Sequence, residues 1–241
     1  MRSILISLIF LMSSSAYAAP DYAREKKWAD EVTPGIVVGD ALYLEASGHK
    51  FLTLYTEAAN AKAGLVIVHG IGVHPEHGLI GVLRSRLVDE GYTTLSIQMP
   101  ILGVEAQSDA YQSLYPEAVE RVKAAVKHLQ SKGYKKVAIV SHSLGSRMSH
   151  AYFKANADSP AAAWVAIGMA DDSYAGIKLP IYDLYGAKDN PPVVKNAKKR
   201  AATLKGKATS KQTRAPNADH FFTGQDDVLV KYVKDYLDKT M

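Results

Sequence analysis

Three residues in this chain have the types and the order needed for acyl-transfer chemistry. Ser143 lies in Ser141-His142-Ser143-Leu144-Gly145, Asp189 in Gly186-Ala187-Lys188-Asp189, and His220 in Ala218-Asp219-His220-Phe221-Phe222. A serine hydroxyl is a weak nucleophile until a base takes its proton. An imidazole with an ordinary pKa near 6.5 can accept that proton and later return it. A carboxylate on the far side of the ring holds the correct tautomer and stabilises the imidazolium. Ser143, Asp189 and His220 are therefore expected to act as nucleophile, acid and base, with Asp171 and Asp172 as the alternative acid after an earlier strand.

Ser143 is expected at a sharp strand-to-helix turn, where small neighbours two places either side let two backbones come close. Gly145 supplies one of them. Ser141 stands where glycine is usual, a departure from the pattern. His142, beside the nucleophile, is expected to form a pocket wall and not to act as the base. A second backbone loop must receive the oxyanion, and Val68-His69-Gly70-Ile71-Gly72 follows an apolar strand. The N–H groups of Ile71 and Leu144 are the expected donors. His69, His74, His77 and Glu76 could be pictured as metal ligands, but a loop behind the oxyanion site is the preferred reading. No metal and no cofactor is expected.

The elements that must position these residues follow from hydrophobic periodicity. Residues 35–44 and 50–56 alternate around Ser47-Gly48-His49 and read as an antiparallel hairpin. From Gly64 onward, strands at 65–68, 92–97, 135–140, 163–167, 181–185 and 207–213 alternate with helices. The helices are expected at 79–90, 109–132, 146–153, 191–204 and from about Asp226. This order means a mostly parallel, doubly wound α/β sheet opening with an antiparallel hairpin. Catalytic groups in such a sheet gather at the carboxyl ends of its strands. The short 168–178 segment leaves no room for a large lid domain. The 99–108 loop could line an acyl pocket or pack under a helix.

Residues 1–18 read as an export signal: Arg2, an apolar run from Ile4 to Met12, and Ala16-Tyr17-Ala18 as cleavage site. Residues 19–241 then form a single domain, exported to the periplasm or beyond. The 241 residues contain no cysteine, which excludes disulfides, a thiolate nucleophile and cysteine-bound metal. The net charge of +5 is concentrated at 195–214, with Lys195, Lys198, Lys199, Arg200, Lys205, Lys207, Lys211 and Arg214 and no acid. A solvated helix and loop is the plainer reading of that stretch; contact with an anionic envelope surface is the functional one. No aromatics interleave with these cations, so nucleic acid is not an expected partner.

Taken together, the 69–76 loop His69-Gly70-Ile71-Gly72-Val73-His74-Pro75-Glu76, the serine turn, Leu184-Tyr185-Gly186 with its aspartate, and Ala-Asp-His-Phe-Phe resemble the α/β-hydrolase superfamily over roughly residues 35–241. The loop and Tyr92-Thr93-Thr94-Leu95-Ser96-Ile97-Gln98-Met99-Pro100 are similar to a family of exported bacterial α/β-hydrolase-like proteins of unknown function. The resemblance implies the α/β-hydrolase fold and a Ser-His-Asp triad. The expected activity is a serine hydrolase of carboxylesterase type that cleaves an ester or related acyl bond of a small-molecule or lipid-like substrate through an acyl-enzyme intermediate. A non-catalytic binding or assembly protein of the envelope is the alternative.

Overall fold

The computed structural model describes residues 19–241, so the expected export signal lies outside the described residues. Helix α1 (Tyr22–Val32) comes first, capped by the Asp21 carboxylate on the Arg24 N–H. Strands β1 (Asp40–Ala46) and β2 (His49–Thr56) follow. Both linking residues, Ser47 and Gly48, have positive φ. That is the two-residue turn whose twist suits paired antiparallel strands. The first strand begins at Asp40 rather than Gly35, because Thr33–Gly35 form a 3-10 turn around Pro34.

Alternation then proceeds through β3 (Ala63–Val68), α2 (Leu79–Asp89), β4 (Tyr92–Ile97), α3 (Tyr115–Ser131), β5 (Val137–His142) and α4 (Leu144–Ala155). The chain closes with β6 (Ala163–Ile167), β7 (Ile181–Lys188), α5 (Pro191–Leu204), β8 (Lys211–Asp219) and α6 (Asp226–Thr240). All eight strands form one sheet in the order β1-β2-β4-β3-β5-β6-β7-β8. Pairing is antiparallel at β1/β2 and β2/β4 and parallel from β4 to β8. The central strands are apolar on both faces, as a sheet covered on both sides requires. Val66 and Val68 pack with α3 and α4, whereas Leu65 and Ile67 pack with α2 and α6. Successive residues of a strand face opposite ways, so one tetrapeptide serves two cores.

Other boundaries also differ from the periodicity reading. The expected helix over 109–132 is a 3-10 segment, Ser108–Leu114, followed by α3. Pro116 lacks the N–H for an α-helical bond and clashes with the preceding turn, so it is accommodated only in the first turn. The last strand runs over Lys211–Asp219 instead of 207–213. Its register against β7 slips between Gly186↔Ala215 and Lys188↔Asp219, which leaves Pro216, Asn217 and Ala218 without regular partners. β8 pairs only with β7, and a proline is tolerated on such an edge strand. Among the described residues, no helix is long and apolar enough to cross a membrane.

Candidate active site

β5 ends in the turn that carries Ser143, at φ 55° and ψ −122°, a left-handed conformation unusual for a non-glycine residue. The Ser143 N–H donates to the Ile167 carbonyl at 2.8 Å, which ties the turn to the end of β6. A Cβ at Gly145 would come 2.2 Å from the His69 carbonyl, so only glycine permits this approach of α4 to β3. The larger residue at Ser141 is accommodated because its hydroxyl has a use. It accepts a 2.8 Å hydrogen bond from the buried Trp164 indole. Ser146 Oγ lies 3.0 Å from the Ser141 carbonyl and 3.1 Å from that of Ile167, joining the two strand ends again.

Asp189 and His220 reach Ser143 from the ends of β7 and β8. Its Oγ lies 2.8 Å from His220 Nε2, and His220 Nδ1 lies 2.6 Å from Asp189 Oδ1. The Asp189 carboxylate also accepts from the N–H groups of Gly186 (3.2 Å) and Asn190 (2.7 Å), so it is buried but well partnered. The register slip in β8 swings the chain so that His220 lands over the end of β5. The alternative acids lie elsewhere: Asp171 binds Arg147 and His150, and Asp172 binds Lys199.

Two supports of His220 were not visible in the residue pattern. Gly168, at φ 61°, leaves the space the ring occupies; a Cβ there would stand 2.9 Å from His220 Cε1. His142 is a pocket wall, as expected, and its Nε2 also donates to the His220 carbonyl at 2.9 Å. Burial, helped by the adjacent His220 ring, lowers the His142 pKa to about 4, so this ring is a neutral donor. A glycine just after a strand at the correct sheet edge was the available signal for Gly168.

The loop after β3 closes the other side. A Cβ on Gly70 would be 3.3 Å from the Ser143 Cβ, so the loop packs directly against Ser143. Leu144 is the first residue of α4, where helix N–H groups have no intrahelical partner and the dipole favours negative charge. Ile71 and Leu144 line one cavity with Ser143. His69 is fully buried and its pKa is driven down to about 3 by that burial. It contacts the Gly70 carbonyl through Nδ1 at 2.8 Å and accepts from the Met99 N–H through Nε2 at 2.9 Å. Both ring nitrogens are thus occupied, while Glu76 pairs with Arg84. Among the described residues no group of three or more His, Asp or Glu is arranged to hold a metal.

Two cavities meet at Ser143. The larger, about 560 Å³, is bounded by apolar Ile71, Val73, Leu79, Ile80, Val82 and Phe221. The smaller, about 240 Å³, is bounded by Ser108, Leu144, Arg147, Pro192 and Val193. In the 99–108 loop, Met99, Ile101 and Leu102 are buried against α3, so its apolar start is packing, and only Ser108 reaches the site. The basic 195–214 stretch is not one surface: Arg200 is fully buried and paired with Asp183, and Lys211 lies over the Tyr182 ring at 4.3 Å.

The strand order, the serine turn and the acid and histidine at the same edge define an α/β-hydrolase fold without a lid. Residues 51–239 match the dienelactone hydrolase family, and the chain belongs to that family. It is therefore a hydrolase. The structure is similar to a dienelactone hydrolase from Anabaena variabilis (TM-score 0.69, 16% identity, covering 83% of this chain and 97% of that one). It is also similar to Est1E from Butyrivibrio proteoclasticus with bound ferulic acid (TM-score 0.66, 14% identity, 83% and 99% covered). A third likeness is to XC6422 from Xanthomonas campestris, described as a serine hydrolase without lid (TM-score 0.63, 14% identity, 85% and 95% covered). No curated protein matches the sequence.

Proposed function

We propose that this protein is an exported serine hydrolase that cleaves carboxylic esters through an acyl-enzyme intermediate. The observation that carries the reading is the unbroken hydrogen-bonded series from Ser143 Oγ through His220 to Asp189. With Nδ1–H donated to the carboxylate, His220 Nε2 is the lone pair facing the serine hydroxyl. Ser143 Oγ attacks the acyl carbon as its proton passes to His220. The oxyanion is received by the N–H groups of Ile71 and Leu144. Collapse breaks the bond to the leaving alkoxide, which takes the proton from His220 and departs as alcohol. Water then attacks the acyl group with His220 as base, releasing the acid and restoring Ser143.

The cavities support an ester with one apolar arm in the larger space and a small arm beside Arg147. The lipid-like end of the small-molecule range fits this division. Export rests on the sequence pattern in residues 1–18.

The chain lacking residues 1–18 should turn over short-chain p-nitrophenyl esters and be labelled by a fluorophosphonate probe. Ser143→Ala should keep its circular dichroism spectrum and lose both signals. Persistent labelling of that variant would move the nucleophile elsewhere, and a folded, inert wild-type chain would favour a binding protein of the envelope.

A further inference from the structure

The oxyanion side of the site is braced from outside by α1, a helix that contributes no group to the reaction. The Arg24 guanidinium of α1 donates through Nη2 to the Gly72 carbonyl at 3.0 Å and through Nη1 to the Leu102 carbonyl at 2.7 Å. One planar fork therefore ties the 69–74 loop to the segment that follows β4. Gly72 is the residue after Ile71 and sits at φ 62°, so its peptide plane is set by contacts more than by intrinsic preference. The fork itself is held: the Arg24 guanidinium carbon lies 4.4 Å from the Trp28 ring centroid, and Trp28 meets His74 edge-on at 5.5 Å. On the inner side of the loop, His69 fixes the Gly70 carbonyl. That carbonyl belongs to the same planar peptide as the Ile71 N–H and points opposite to it. The donor is thus bracketed, with His69 gripping the peptide before Ile71 and Arg24 the one after Gly72.

We propose that Arg24 is a positioning residue for the oxyanion-side loop, and that α1 is in this way a working part of the active site. The proposal rests on the hydrolase reading above. Arg24 is not what docks the helix. Glu25 binds Arg121 with both carboxylate oxygens (2.8 and 3.1 Å), and Ala29 packs on Leu52 and Leu54. Removing the Arg24 fork should therefore leave α1 in place and loosen only the loop.

A donor displaced but present costs less than a donor removed, which is worth about 100-fold to 1,000-fold in kcat. For Arg24→Gln we expect kcat on a p-nitrophenyl ester to fall about 10-fold, with KM changed by less than about 2-fold. The affinity for a trifluoromethyl ketone, whose tetrahedral adduct carries the oxyanion, should fall in parallel with kcat. Arg24→Lys, which keeps the charge but cannot bridge two carbonyls with a planar fork, should recover only part of the loss. Lys26→Ala, on the same helix and paired with Asp30, should match wild type. Unchanged kcat and inhibitor affinity in Arg24→Gln, with only the melting temperature lowered, would overturn the proposal while leaving the hydrolase reading intact. A wild-type chain with neither turnover nor labelling would overturn both.

Discussion

The two walls of the Ser143 cleft are held in different ways. On the acid–base side, Asp189 and His220 sit at the ends of β7 and β8, adjacent strands that are next but one to β5 and beyond. The geometry there is set by sheet register, by one slip in it, and by bonds to neighbouring backbone. On the oxyanion side, the loop after β3 is gripped from distant parts of the chain: by the side chains of Arg24 from α1 and Gln98 after β4, and by the Met99 backbone N–H. The first wall inherits the stiffness of the sheet. The second has the stiffness of a few polar ties, so losses there should be graded where losses on the first wall are severe.

The largest effect is expected on the first wall. Asp189→Asn keeps the shape of the site but lets the amide favour the wrong tautomer of His220, and kcat should fall about 10,000-fold with little change in melting temperature. A fall of less than 10-fold would assign the acid role elsewhere. Gly168→Ala should be next. The added methyl meets the His220 ring at 2.9 Å and the residue must hold φ 61°, so the ring is pushed from Ser143. A displacement of this kind costs about 100-fold in kcat; steady-state kinetics with wild-type KM would place the damage in the chemistry. Arg24→Gln, about 10-fold, is the corresponding test of the second wall.

The smallest effect on catalysis is expected at Glu25, whose substitution acts on stability and its pH dependence. Burial pushes the Glu25 carboxyl up from 4.5 to about 7, against the pull of Arg121, and the nearby Glu117 adds to the rise. An unfolded chain releases this proton near its ordinary pKa, and the folded one only near 7. The group's contribution to stability is therefore complete below about 4.5, declines as pH rises to about 7, and is level above that. At about 1.4 kcal/mol per pKa unit, the decline is at most about 3.5 kcal/mol. Urea melts across this range should show a flatter pH dependence for Glu25→Gln than for wild type; equal slopes would remove Glu25 as the cause. If Arg24→Gln left kcat untouched, the contrast between the walls would collapse.

What was readable in advance was whatever chain order and local spacing record. The apolar tetrads of β3 and β5 marked buried strands, Ser143 followed one of them at a turn, and Asp189 and His220 followed later ones in the order the fold uses. The pattern misleads where a distant partner or a local backbone conformation overrides a residue's usual meaning. Arg200 reads as one more cation in a basic run, yet it is buried against Asp183 across the α5–β7 contact. Lys207–Thr213 has strand-like content, but positive φ at Gly206 and Thr209 delays β8 to Lys211.

Residue types and their order along the chain thus determined the α/β architecture and the candidate nucleophile, acid and base, because strand alternation and the carboxyl-edge rule depend only on local periodicity and topology. Tertiary structure alone decided that Gly168 makes room for His220, that His142 holds the His220 backbone, and that Arg24 grips a carbonyl 48 residues away. These are contacts of side chains with backbone or empty space. Neither hydrophobic pattern nor motif spacing carries them, since they exist only once distant segments have packed.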